Sequence, residues 1–158
     1  MLNQFGPARW LEDGSGYTTL EESQEFANAK NIIKYNPKTG ERTVLVDASR
    51  LIPKGVKNPL LIKDYNWSLD GKKLLIFTNS VRVWRYETRG DYWVLDLVSE
   101  KLSQFGVFAE PSTMMFAKFS PDANMVGYVV KNNIYVEDLT TSEAVSYTHL
   151  TLPTILLV

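Results

Sequence analysis

The chain contains no cysteine and a single histidine, His149. Without thiols it can form neither disulfides nor thiolate metal sites, and its redox compartment cannot be read from cysteine usage. One histidine near the C-terminus makes no His/carboxylate cluster at metal-ligand spacing. There is no glycine-rich phosphate loop and no Gly-x-Ser-x-Gly elbow, and Ser15 falls in "DGSGY", a turn sequence. No stretch reaches the roughly 20 apolar residues of a membrane span. The opening "MLNQFGPARW" holds no apolar core of signal-peptide length, which leaves either a cytoplasmic chain or a natural N-terminus upstream of residue 1. Lys and Arg number 17 against 18 Asp and Glu, with no basic stripe, so nucleic acid is not an expected partner. Catalytic residues, metal ligands and cofactors are all expected to be absent from these residues.

What is present is aromatic and strand-forming. Aromatics make up 12% of the 158 residues, including four Trp and eight Tyr, a composition that favours β-structure. A chain of this length can bury about two-thirds of its unfolded surface as one domain.

Three stretches share one pattern: "WLEDGSGYTTL" at 10–20, "WSLDGKKLLIF" at 67–77 and "FSPDANMVGYV" at 119–129. Each runs aromatic, two residues, Asp, Gly or Ala, then an apolar alternating run. Asp13, Asp70 and Asp122 are spaced by 57 and 52 positions. The aromatic closes one strand, the Asp pair makes the tight turn, and the following run is the next strand. The three aspartates are therefore turn caps rather than a catalytic carboxylate set. A second strand pair follows each copy, at 31–46 around "NPKTG", at 92–105 turning at 98–101, and from 133 onward. Only 20–30 has helix-like composition, and it lacks an apolar stripe, so it is read as a connection. The expectation is an all-β chain, a partial β-propeller of about two and a half to three four-stranded antiparallel blades.

Two further motifs are read blandly. Asn66-Trp67-Ser68 matches a glycosylation acceptor, but Trp67 is expected in the core. Arg85 follows Trp84 in "VRVWRYETRGDY", read as a strand that breaks into a charged bend, and guanidinium groups often simply cover strand aromatics.

The segment "NSVRVWRYETRGDYWVLDL" at 79–97 resembles the matching blade in the dipeptidyl-peptidase IV branch of the prolyl oligopeptidase serine peptidases. So do "ARWLEDGSGYTTLE" (8–21), "YNWSLDGKKLLI" (65–76) and "KFSPDANMVGYVVKNNIYVEDL" (118–139), in the same order and spacing. The resemblance covers about residues 6–143. It implies a propeller of roughly eight blades capping a C-terminal α/β-hydrolase domain that carries Ser, Asp and His. It also implies a dipeptidyl peptidase activity, a peptide substrate, and a homodimer as one form of the intact protein. Arg85 would then project into the central cavity and hydrogen-bond a substrate carbonyl near its N-terminal end, a role suited to a guanidinium's fixed donors. Trp84 would pack within the blade. The family's paired glutamates would follow the third repeat, and Glu87 beside Arg89 is not that pair. Bacterial members are commonly exported, so the resemblance implies a periplasmic or cell-surface location for the intact protein.

Residues 1–143 are thus read as the propeller portion. Residues 144–158, "AVSYTHLTLPTILLV", resemble translated sequencing-adaptor read-through and are expected to leave the blade as a non-native tail that includes His149. A competing reading is a non-catalytic TolB-like or WD-type propeller serving protein interaction. A third, a self-contained small β-domain, leaves sheet edges unpaired at both ends.

Overall fold

The computed structural model describes residues 7–83, 85–141 and 144–147. Among the described residues twelve strands form three four-stranded sheets, each built from four consecutive antiparallel strands. The first sheet holds β1 (Arg9–Trp10), β2 (Tyr17–Glu22), β3 (Lys30–Tyr35) and β4 (Arg42–Val46). The second holds β5 (Asp64–Trp67), β6 (Lys73–Val83), β7 (Tyr86–Asp96) and β8 (Leu102–Gln104), and the third β9 (Met115–Phe119), β10 (Met125–Val130), β11 (Asn133–Asp138) and β12 (Ala144–Tyr147). This is the expected partial propeller, with three blades. Among the described residues the one helical element is a 3-10 turn, Ala48–Leu51, and no helix is long and apolar enough to cross a membrane.

The repeated aspartates cap their turns. Asp13 accepts the Ser15 amide, Asp70 the Lys72 amide and Asp122 the Asn124 amide, at 2.9, 3.0 and 3.2 Å. The residue after each aspartate, Gly14, Gly71 or Ala123, adopts positive φ. Such a turn needs that conformation, and glycine supplies it without Cβ strain.

Neighbouring sheets pack face to face. Leu74, Ile76 and Leu95 of the second sheet bury against Leu20, Ile32 and Val46 of the first. The alternate residues Leu75, Tyr92 and Val94 bury against Ala117, Val126 and Tyr128 of the third. Because successive side chains point to opposite faces of a strand, a blade covered on both sides needs apolar residues in sequence, and "LLI" at 74–76 is that run.

The stretch read from residue 144 onward as a tail begins with a strand, Ala144–Tyr147. These residues pair with β11, from Ile134↔Tyr147 to Glu137↔Ala144, and complete the third blade. Their Val-containing stretch satisfies the open edge of β11, which local composition does not reveal. Residues 148–158, with His149, lie outside the described residues.

Candidate functional site

β6 and β7 are each 11 residues long and extend well beyond the sheet they help to form. Their pairing is regular from Lys73↔Asp96 to Thr78↔Asp91, then shifts register to Val81↔Arg89, Arg82↔Glu87 and Val83↔Tyr86. Past Thr78 the hairpin projects as an arm, with Val81 and Tyr86 exposed at 48% and 74%. Arg85 sits in the turn at its tip and is itself exposed.

The chain therefore reverses between Val83 and Tyr86, and the stretch read as a charged bend continues as β7. Gly90, which suggests a turn in "RGDY", lies within β7. A Cβ there would stand 2.4 Å from the Phe77 ring and 2.7 Å from the Thr78 carbonyl, so the glycine permits close packing rather than a bend. Arg85 stands in the turn, outside both strands, so strand parity does not orient it. Trp84 lies outside the described residues.

The arm is cationic at its end. Arg82, Arg85 and Arg89 stand within eight positions of one another, with Glu87 between them. Arg82 lies opposite Glu87 in the ladder. The Ser80 hydroxyl donates to Glu87 at 2.5 Å and the Lys63 ammonium stands 3.6 Å away. The Ser80 hydrogen bond foremost, then the Lys63 charge, holds the Glu87 carboxyl below its ordinary range. No hydrogen bond or ion pair engages the Arg85 guanidinium among the described residues, so its donors are open to an external carbonyl or carboxylate.

At the base of the arm a polar junction joins three segments. Asp91 accepts the Asn79 side-chain amide and the Ser112 backbone amide, both at 2.7 Å. The Ser112 hydroxyl closes the triangle on the Asn79 carbonyl, also at 2.7 Å. The partners lie 12, 21 and 33 positions apart, beyond the reach of any local motif.

The other motifs carry no such arrangement. Asp13, Asp70 and Asp122 each serve their own turn, and among the described residues no group of three or more His, Cys, Asp or Glu could hold a metal. Ser68 of the glycosylation-like triplet is buried, and Trp67 donates its indole N–H to Thr18 at 3.0 Å.

The sequence pattern of the family described as the dipeptidyl peptidase IV (DPP IV) N-terminal region matches residues 68–155, more than half of the chain. The chain belongs to this family. Dipeptidyl aminopeptidase B of Saccharomyces cerevisiae is 33% identical over 111 residues, covering 70% of this chain and 13% of the yeast protein. The crystal structure of Porphyromonas gingivalis dipeptidyl peptidase 4 superimposes with a TM-score of 0.74 at 25% identity, covering 92% of this chain and 19% of that one. TolB from Acinetobacter baumannii matches at TM-score 0.55 and 15% identity, covering 93% of this chain and 33% of that one, a likeness of fold alone. The chain thus spans about an eighth of the yeast relative's length. The matched region includes the whole arm and runs past residue 143.

Proposed function

We propose that this DPP IV N-terminal region serves a serine-type dipeptidyl peptidase, and that Arg85 positions the peptide substrate for a catalytic serine carried on a separate α/β-hydrolase domain. The carrying observation is a guanidinium with no partner among the described residues, at the tip of a projecting hairpin in a chain of this family. A guanidinium there offers planar, fixed donors to a carbonyl near the peptide's N-terminus. It breaks no bond; its contribution is orientation. On this reading the 158 residues alone hydrolyse nothing, and purified chain with an Xaa-Pro chromogenic dipeptide should match buffer. The same reading places the intact protein in the periplasm or at the cell surface, which fractionation of the source cells checks.

The decisive test is made in the intact enzyme. Losing one charge-assisted hydrogen bond costs roughly 1.5–3 kcal/mol, so Arg85→Ala should lower kcat/KM by about one to two orders of magnitude. Arg85→Lys should recover only part, since an ammonium lacks the planar fork. Arg82→Ala is the control, because Arg82 faces Glu87 across the ladder. Equal activity of the two alanine variants would leave Arg85 an ordinary surface charge.

A further inference from the structure

We propose that Asp91 is a positioning residue that sets the aim of the Arg85 arm; this rests on the substrate-positioning reading of Arg85.

A two-stranded ribbon is marginally stable by itself. Beyond Thr78 the arm has only irregular pairing, with register shifts between Thr78 and Val81 and between Val81 and Arg82. Its direction is therefore decided where it leaves the blade. At that point both Asp91 oxygens are used, one on Asn79 of β6 and one on Ser112 of the link leading to β9. Asn79 and Ser112 each hold positive φ, 47° and 61°. For residues with a Cβ this conformation carries strain and persists only where the surroundings hold it. The Ser112 hydroxyl bonded to the Asn79 carbonyl makes the two strained residues hold each other, with the carboxylate bridging them.

Beside this triangle, Gly90 and Met114 exchange both backbone hydrogen bonds, at 3.0 and 3.2 Å. On the other strand the Thr78 hydroxyl donates to the Leu61 carbonyl at 2.8 Å. The arm is thus anchored to the links on both sides of its blade, and Asp91 is the group that joins β6, β7 and the third sheet's lead-in.

Leverage makes the anchor matter. Arg85 lies six residues beyond Asp91, roughly 20 Å of strand. A pivot of about 10° at the base would move the tip by about 3.5 Å, more than a hydrogen bond tolerates. Misplacement on the order of 1 Å already costs about a hundredfold in a positioned reaction. Asp91 contributes nothing to the packed faces of the blade, which are built from Leu74, Leu75, Ile76, Val94 and Leu95. Its loss should free the arm and leave the sheet intact.

The test uses the intact protein and two readouts, hydrogen-exchange mass spectrometry and peptide turnover. Asp91→Ala should speed exchange of amides 80–90 by about tenfold or more while residues 73–78 and 92–96 keep their protection, and kcat/KM should fall about tenfold or more. Asn79→Asp sets two carboxylates against each other and should do the same. The double variant Asn79→Asp/Asp91→Asn reverses the direction of that hydrogen bond, still offers an oxygen to the Ser112 amide, and should restore both readouts. Unchanged exchange in Asp91→Ala, faster exchange throughout 73–96, or failure of the double variant to restore protection would each overturn the proposal. A loosened, rescuable arm with undiminished turnover would instead overturn the role of Arg85 and leave the clamp standing.

Discussion

Glu137 of β11 and Gly106, in the link between β8 and β9, are joined by a 2.8 Å hydrogen bond from the glycine amide to the buried carboxylate. The same oxygen accepts the Tyr128 hydroxyl at 3.0 Å. Gly106 stands at φ +64 with the Met114 sulfur 2.3 Å from where a Cβ would lie, so the link is pinned against the third sheet by this bond and by contact.

Removing the acceptor should therefore be costly. Glu137→Ala leaves a buried amide and a buried hydroxyl without a partner, at about 1–3 kcal/mol each before relaxation. A loss of about 2–4 kcal/mol is expected from urea denaturation. Glu137→Gln keeps an acceptor oxygen and should recover most of it. Equal midpoints for the alanine variant and the parent would show that water satisfies both donors.

Alkali should destabilise the fold through its buried tyrosines. Burial raises the ionisation of Tyr65 and Tyr92, and burial with the neighbouring Glu137 raises that of Tyr128 further. The folded state then keeps protons that the unfolded chain, titrating near 10, gives up. Stability is fully present below pH 10 and falls as pH rises above it. Melting temperatures between pH 8 and 11.5 should decline, and Tyr128→Phe should flatten the decline. At the acid end the sign reverses. Ser68 and Lys72 hold Asp70 below 3.8, and Ser120 and Asn124 do so for Asp122, so their stabilisation is lost as pH falls through that range.

Much of this architecture is legible in the sequence because turn chemistry is local. Asp70 caps an amide two residues on, and the alternation after it is the strand that follows. The family follows from the same local features plus "VWRY" and "DYWVLDL". The arm is less legible. Gly90 looks like a turn residue and is a packing residue, which only the facing Phe77 ring reveals. The Asp91 junction depends on Ser112, 21 positions away, and β12 on an edge that β11 leaves open. Long-range pairing of this kind leaves no trace in composition or periodicity.

The outward face of the third sheet should drive self-association of the chain. Ile134 pairs with Val129 and Val136 with Val145, so these side chains share one face with Met125, and Ile134 and Val145 are exposed at 39% and 54%. In the second sheet the register-equivalent residues Phe77, Tyr92 and Val94 are covered by the third. An unpartnered apolar blade face seeks a copy of itself or a further blade. Ile134→Thr with Val145→Thr should reduce association in sedimentation velocity and keep the thermal transition. Val94→Thr, buried between sheets, should weaken the fold instead. A parent chain that sediments as a monomer at high concentration would refute the assignment of this face.

Thr18 should be the most sensitive polar position between the first two sheets. It is fully buried, and its hydroxyl oxygen accepts the Tyr65 hydroxyl at 2.9 Å and the Trp67 indole N–H at 3.0 Å. It donates in turn to the Arg9 carbonyl at 3.2 Å, so one oxygen ties β2 to two residues of β5 and back to β1. Thr18→Val keeps the shape and removes the acceptor, stranding the buried Tyr65 hydroxyl and the partly buried Trp67 indole N–H, and should cost about 2–4 kcal/mol. Thr18→Ser keeps the hydroxyl and loses only a methyl, so it should cost about 1 kcal/mol. The decisive measurement is the cycle with Tyr65→Phe, which removes one of the stranded donors. If the hydroxyl acts as this hub, Thr18→Val with Tyr65→Phe should cost less than the two changes summed, by about 1 kcal/mol or more. Strict additivity would mean that Thr18 contributes through packing and that its hydrogen bonds are replaced by water when lost.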